Sequence, residues 1–144
     1  CGLMLKNIFA QAGFELWDGK FEFALIKGEL VLVDAITPDE LRLTFAGVQM
    51  SKEPLRQYYK VQQPEFVSAM KEAKKLSATD TRPLRKIVKE LGHPPKKLDA
   101  KFKRAVASMY SAMAYKLAER FGIKSKAEYD MNAIIETFRK FGVA

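Results

Sequence analysis

Apolar and polar positions along the chain follow two periods. From Pro64 onward the period is helical. Phe66, Val67, Met70 and Leu76 predict an amphipathic helix over Pro64 to Leu76, and Leu84, Ile87, Val88 and Leu91 predict a second from Pro83, stopped by Gly92. His93-Pro94-Pro95 reads as a linker. Phe102, Val106, Met109, Met113, Leu117 and Phe121 then form one stripe of a long helix over Asp99 to Phe121, ended by Gly122. Ser125 with Glu128 has the spacing of a capping box and predicts a last helix over about 125–141. Before Pro64 the pattern changes. Leu5, Ile8 and Phe9 predict the end of a helix that stops at Gly13, and Phe14 to Trp17 reads as a short strand.

The segments Phe21 to Leu25 and Glu29 to Val33 are rich in aromatic and β-branched residues and flank Lys27-Gly28, a hairpin signal. Two registers are open. A two-residue turn at Lys27-Gly28 pairs Glu22 with Val33. A three-residue loop, with Gly28 left-handed in a bulge, pairs Lys20 with Asp34 and Glu22 with Leu32. The second is preferred, because it puts Phe21, Phe23, Leu25, Val31 and Val33 on one face and Asp18, Lys20, Glu22 and Asp34 on the other. Thr37-Pro38-Asp39-Glu40 reads as a helix start with Thr37 as cap, and the pattern from there to Val48 is irregular. The fold class is therefore α+β: antiparallel strands near the N-terminus packed by C-terminal helices. Residues 1–58 form the strand-rich part and 59–144 the helical part of the same domain.

Composition changes this picture in one respect. The net charge of +8 is uneven: residues 1–50 carry 4 basic and 7 acidic groups, and residues 51–144 carry 21 and 10. A basic half is a solvated surface or the contact face for an anion such as nucleotide, sugar phosphate or nucleic acid. The pattern of a signal peptide is absent, since no basic stretch precedes an apolar one, and the longest uncharged run, Ala105 to Tyr115, is too short for a bilayer. One cysteine forms no internal disulfide, which fits a reducing cytoplasm. A chain that starts at Cys1 also suggests a truncated or processed polypeptide.

The candidate chemistry lies in Asp18, Lys20, Glu22 and Asp34. Charges at alternate strand positions sit on a solvated face or on the floor of a cleft. In the preferred register Glu22 and Asp34 lie diagonally, about 7–8 Å apart at Cα, where two carboxylates can share a hard cation and Lys20 can neutralise a phosphate. Both readings stand on the pattern alone. Arg42 is either a phosphate ligand or an ion-pair partner of Asp39. His93 reads as a solvated loop residue, and the methionines of the long helix as core.

Asp18-Gly19-Lys20-Phe21-Glu22-Phe23, then Lys27 to Asp34, then Thr37-Pro38-Asp39 with Arg42 resemble the SAICAR synthetase (phosphoribosylaminoimidazole-succinocarboxamide synthase) family in order and spacing. The Lys52, Arg56, Tyr58 region is similar too, as is Leu91-Gly92 with Pro94-Pro95 before a helix containing Tyr110. The resemblance is strong over 12–58 and looser to about 122. The chain departs from the family pattern at Ala24 (usually Gly), Ala35 (usually acidic), Leu41 (commonly Ser) and Leu43-Thr44, where a Trp is usual.

The resemblance implies the C-terminal part of an ATP-grasp-like fold, with the N-terminal nucleotide-binding half absent from this chain and catalysis absent without it. It implies a cytoplasmic ligase that uses ATP and Mg²⁺ to join carboxyaminoimidazole ribotide (CAIR) to L-aspartate. It places the metal on Glu22 and Asp34, Lys20 with Asp18 at the catalytic and ATP-phosphate position, and substrate on Asp39, Arg42 and Arg56. Its implied partners are the missing half and further copies in a homo-oligomer, with no membrane. The competing expectation is a non-enzymatic nucleic-acid-binding or assembly domain using the basic half. Strongly salt-dependent affinity for DNA or RNA would mark it.

Overall fold

The computed structural model describes residues 1–79, 81–124 and 129–144. Helix α1 (Gly2–Gln11) leads through Gly13, in the left-handed conformation at φ 84°, into strand β1 (Glu15–Gly19). Strands β2 (Phe23–Ile26) and β3 (Glu29–Leu32) form the expected hairpin. A 3₁₀ turn, Pro38–Glu40, opens strand β4 (Leu41–Phe45), which pairs with β1 and with the short β5 (Val48–Gln49). Helices α2 (Glu53–Gln62), α3 (Pro64–Leu76), α4 (Leu84–Glu90), α5 (Ala100–Arg120) and α6 (Met131–Lys140) follow. The fold is mixed α and β, with two small antiparallel sheets, β1-β4-β5 and β2-β3, ahead of the helices. Among the described residues no helix is long and apolar enough to cross a membrane.

The core lies between the three-stranded sheet and α5 with α6. Leu16 of β1 and Leu41 and Leu43 of β4 meet Phe102, Met109 and Met113 of α5 and Ile134, Ile135 and Phe138 of α6. The α5 methionines are buried core, as the periodicity predicts. Tyr58 stacks on Phe102 at 4.2 Å between ring centroids, and Phe141 packs on both rings. A second, smaller cluster joins Ala69 and Ala73 of α3 to Ile87 and Val88 of α4. Asp99 caps α5 by accepting from the Lys101 and Phe102 amides, at 2.7 and 3.1 Å.

The structure corrects the sequence reading in five places. The stretch after the 3₁₀ turn is not irregular but is strand β4, central in its sheet and buried at Leu41, Leu43 and Thr44. Thr37 is extended and makes no side-chain cap. The last helix begins at Met131, capped by Asp130 through the Asn132 and Ala133 amides; the Ser125–Glu128 box lies outside the described residues. Phe121, placed on the buried stripe of α5, is 60% exposed at the helix end.

The fifth correction is the hairpin register. Ile26 pairs with Glu29 and Phe23 with Leu32, and the Val33 amide donates to the Glu22 carbonyl at 2.9 Å. Lys27 (φ 52°) and Gly28 (φ 85°) are both left-handed, which is the two-residue type I′ turn. Its twist matches that of the strands, and the exposed hairpin has no buried face to enforce the polarity-sorted alternative. The four-residue polar face of Asp18, Lys20, Glu22 and Asp34 therefore does not form on one ladder. Phe23, Leu25, Ile26, Leu30, Val31 and Val33 are all exposed.

Core and hairpin predict opposite sensitivities. Phe102→Ala should cost about 3–5 kcal/mol in urea unfolding. Leu25→Ala, at a residue 74% exposed, should stay within about 0.5 kcal/mol. Equal losses would mean that the hairpin is packed against the core.

Candidate functional site

Strands β1 and β4 build one wall of the site through a bulge. Leu16 pairs with Leu43 and Asp18 with Arg42, so two residues of β1 advance against one of β4 and Trp17 is the extra one. Without it Asp18 would alternate onto the face of Leu16 and enter the core. With it, Asp18 and Arg42 share the outer face, and Arg42 Nη2 lies 3.3 Å from Asp18 Oδ2. Gly19 follows against Leu41. A Cβ there would come within 2.6 Å of Leu41 Cδ2 and 3.2 Å of Phe21 Cζ, so the close approach favours glycine.

This wall borders a cavity of about 640 Å³, closed on its other sides by the 3₁₀ turn, β5 and the start of α2. Asp18, Lys20, Asp39, Arg42 and Arg56 all line it. Its cations Lys20, Arg42, Lys52 and Arg56 are matched by Asp18, Asp39, Glu40 and Glu53. Lys52 reaches Glu40 at 3.5 Å, and Arg56 reaches Glu53 at 3.5 Å. Half-exposed pairs of this kind are worth about 0–1 kcal/mol each. An anion entering the cavity can therefore exchange with the carboxylates at little cost. The first turn of α2 borders the same cavity, where the helix dipole favours negative charge.

Glu22 and Asp34 stand beside the cavity rather than in its lining. Glu22 is ion-paired to Lys20. Asp34 lies past the end of β3 and accepts from the Ala35 amide at 2.8 Å. The hydrogen bond and charge of Glu22 hold the Lys20 ammonium above its usual range; desolvation opposes them, and Asp34 and Glu40 add smaller upward contributions. Both carboxylates thus act on Lys20, although the observed register removes the diagonal pairing across the ladder. Two accessible carboxylates, both acting on a cavity lysine, have the donor chemistry that suits Mg²⁺. Among the described residues no group of three or more metal-ligating side chains gathers.

Arg42 takes Asp18 rather than Asp39 as its ion-pair partner. Asp39 instead accepts a hydrogen bond from the Tyr110 hydroxyl of α5 at 2.6 Å. Gln49, Ser51, Lys52, Glu53 and Gln57 also line the cavity, and none was singled out by pattern as a site residue, although Lys52 fell in the resembling stretch. The available signal was Pro54, a helix-start residue that puts the first turn of α2 here. Two features of this wall are strained. Buried Ser51 is left-handed at φ 80°, and the buried Gln49 Oε1 has no hydrogen-bond partner.

Burial, the hydrogen bond to Asp39 and that carboxylate's charge raise the Tyr110 phenol well above its ordinary value of 10.0. A group whose folded pKa is raised stabilises fully below its unfolded pKa, near pH 10, and loses that contribution as pH climbs through the folded value. Thermal melts above pH 10 should therefore fall more steeply for the wild-type chain than for Tyr110→Phe. Parallel curves would contradict the coupling.

Comparison with known proteins bears on the same residues. The SAICAR synthetase family model matches residues 3–75. The chain is 44% identical over 68 residues to the phosphoribosylaminoimidazole-succinocarboxamide synthase of Thermotoga petrophila, a match covering 41% of this chain and 30% of that protein. It is 45% identical over 56 residues to the synthase of a Marinomonas species (38% and 24%) and 52% over 40 residues to that of Erwinia tasmaniensis (28% and 17%). The matches thus span less than a third of these curated relatives. No solved structure matches. With half of its length matched by the family model, and with the matched half carrying all the site residues named above except Tyr110, the chain belongs to the SAICAR synthetase family.

Proposed function

We propose that this chain is part of an ATP-dependent, amide-forming ligase of purine biosynthesis that joins CAIR and L-aspartate to give SAICAR, ADP and phosphate in the cytoplasm. The observation that carries this reading is the gathering of Asp18, Lys20, Asp39, Arg42 and Arg56 around one cavity from positions scattered over thirty-nine residues of the family-matched segment. Family relatives bear the synthase name, and the cavity has the charges that such a reaction uses.

In this reading ATP converts the CAIR carboxylate to an acyl phosphate, and the aspartate amine displaces phosphate to form the amide. Arg42 grips the ribotide phosphate, since a guanidinium can make two parallel hydrogen bonds to it. Arg56 and the first turn of α2 add positive potential on the opposite wall. Lys20, beside the acidic group of Glu22, Asp34 and Glu40, stays protonated and binds phosphoryl or carboxylate oxygens as a point charge. Asp18 orients Arg42, and Asp39 accepts from substrate donors. Glu22 and Asp34 are the carboxylates that would hold Mg²⁺. When bound, the metal neutralises charge on phosphoryl oxygens.

The nucleotide pocket is then completed by the remaining part of the enzyme, and the exposed apolar hairpin β2–β3 gains an occupant, namely further strands of that part. A two-stranded hairpin on its own is marginal in water, so such cover is physically favoured. Assembly into a homo-oligomer belongs to the same proposal.

The test is phosphate release by the native polypeptide carrying this chain, given ATP, Mg²⁺, CAIR and L-aspartate. Release should require both CAIR and aspartate. It should fall at least about a hundredfold in Glu22→Gln and in Asp34→Asn. Arg42→Lys should raise the KM for CAIR about tenfold or more and leave that for aspartate unchanged. ADP formation that ignores aspartate and releases no phosphate would indicate a kinase-like reaction instead. A native mass of 16.3 kDa with no release, even after other cellular proteins are added back, would overturn the reading.

A further inference from the structure

Asp39 is a cavity carboxylate held from outside the cavity. It sits in a single 3₁₀ turn, Pro38–Glu40, which receives no side-chain cap from Thr37. The turn's backbone is tied by the Glu40 amide to the Thr37 carbonyl at 3.1 Å and by the Lys20 amide to the Glu40 carbonyl at 2.9 Å. A turn of three residues has little intrinsic rigidity, and its carboxylate needs an anchor if it is to keep one orientation. The anchor comes from seventy-one residues away. The Tyr110 hydroxyl, in the middle of α5, donates to Asp39 Oδ1 at 2.6 Å.

Three features set this contact apart from the half-exposed ion pairs of the same site. The acceptor is an ionised carboxylate, so the bond is short and strong. Tyr110 is partly buried, and its ring packs against the main core beside Met109 and Met113, so the donor is fixed by packing rather than by its own rotamer preference. Tyr110 does not itself line the cavity. It therefore reaches a ligand only through Asp39. The residue also lies beyond the family-matched segment 3–75, on the helix that backs the β1–β4 sheet.

We infer that Tyr110 is a positioning residue for the site: its hydroxyl fixes the Asp39 carboxylate and the 38–40 turn, so that α5 sets the geometry with which the cavity meets its ligand. One carboxylate oxygen is engaged by Tyr110, which orients the other toward donors in the cavity. A phenylalanine at 110 would fill the same core volume and lose only this link. A role in core packing alone therefore predicts no local effect at the turn.

Two measurements on the native polypeptide carrying this chain test the inference. The first needs no ligand. In Tyr110→Phe, hydrogen exchange of the Glu40 and Lys20 amides should speed up about tenfold, as expected for losing a hydrogen bond to a charged group, while the amides of Met109 and Met113 in α5 keep their protection. Unchanged exchange at Glu40 and Lys20, or acceleration spread evenly along α5, would overturn the positioning role.

The second rests on the proposed function. By calorimetry Tyr110→Phe should weaken CAIR binding about tenfold. The double variant with Asp39→Asn should bind no more weakly than Asp39→Asn alone, because Tyr110 acts through that carboxylate. Additive losses would show that Tyr110 acts by another route. A wild-type native polypeptide that binds no CAIR counts against the proposed function, and the exchange result then decides the role of Tyr110 by itself.

Discussion

When Glu15–Gly19 pairs with Leu41–Phe45, Leu16, Leu41 and Leu43 turn toward the helices while Asp18 and Arg42 turn the other way. Burying the three leucines is worth about 1.5–3 kcal/mol each. The Asp18–Arg42 pair, more than half exposed on both sides, is worth about 1 kcal/mol at most. The apolar face therefore fixes where the strands lie, and the polar face is free to carry charges chosen for something other than stability. The bulge at Trp17 makes this division workable. It lets β1 contribute Leu16 to the core and Asp18 to the cavity only two residues later.

The cavity is composite. Its wall is a sheet, its rim a 3₁₀ turn and its far side the first turn of a helix. These parts meet because α5 and α6 supply one continuous core behind the sheet. The charges around the cavity are balanced in weak pairs that an anionic ligand can exchange into. The Tyr110–Asp39 bond is of another kind, since its donor is anchored in the core.

The hairpin β2–β3 obeys a different constraint. Its large apolar residues are exposed, Leu25 and Leu30 by more than 70%, so burial does not choose its register. Turn geometry does. Lys27 and Gly28 take the left-handed pair of angles that a two-residue turn requires. Where a face is buried, a one-residue slip would expose the core and polarity is a reliable guide to register; here that guide favoured the wrong one.

The sequence by itself determined the long periodic helices, the existence of the hairpin around Lys27-Gly28, the glycine stops, and the run from Asp18 to Arg42 that resembles the family. All of these rest on local spacing or on residue identity. It did not reveal that Leu41–Phe45 is a central strand, because five residues with leucines at only two alternate positions give too short a signal. Nor did it reveal the bulge that re-aims Asp18, the choice of Asp18 over Asp39 as partner of Arg42, or the reach of Tyr110 to Asp39. Those are contacts between segments 24 to 71 residues apart. The tertiary structure alone decided them, because the packing of α5 against the sheet sets which side chains come within hydrogen-bonding distance, and no local pattern encodes that distance.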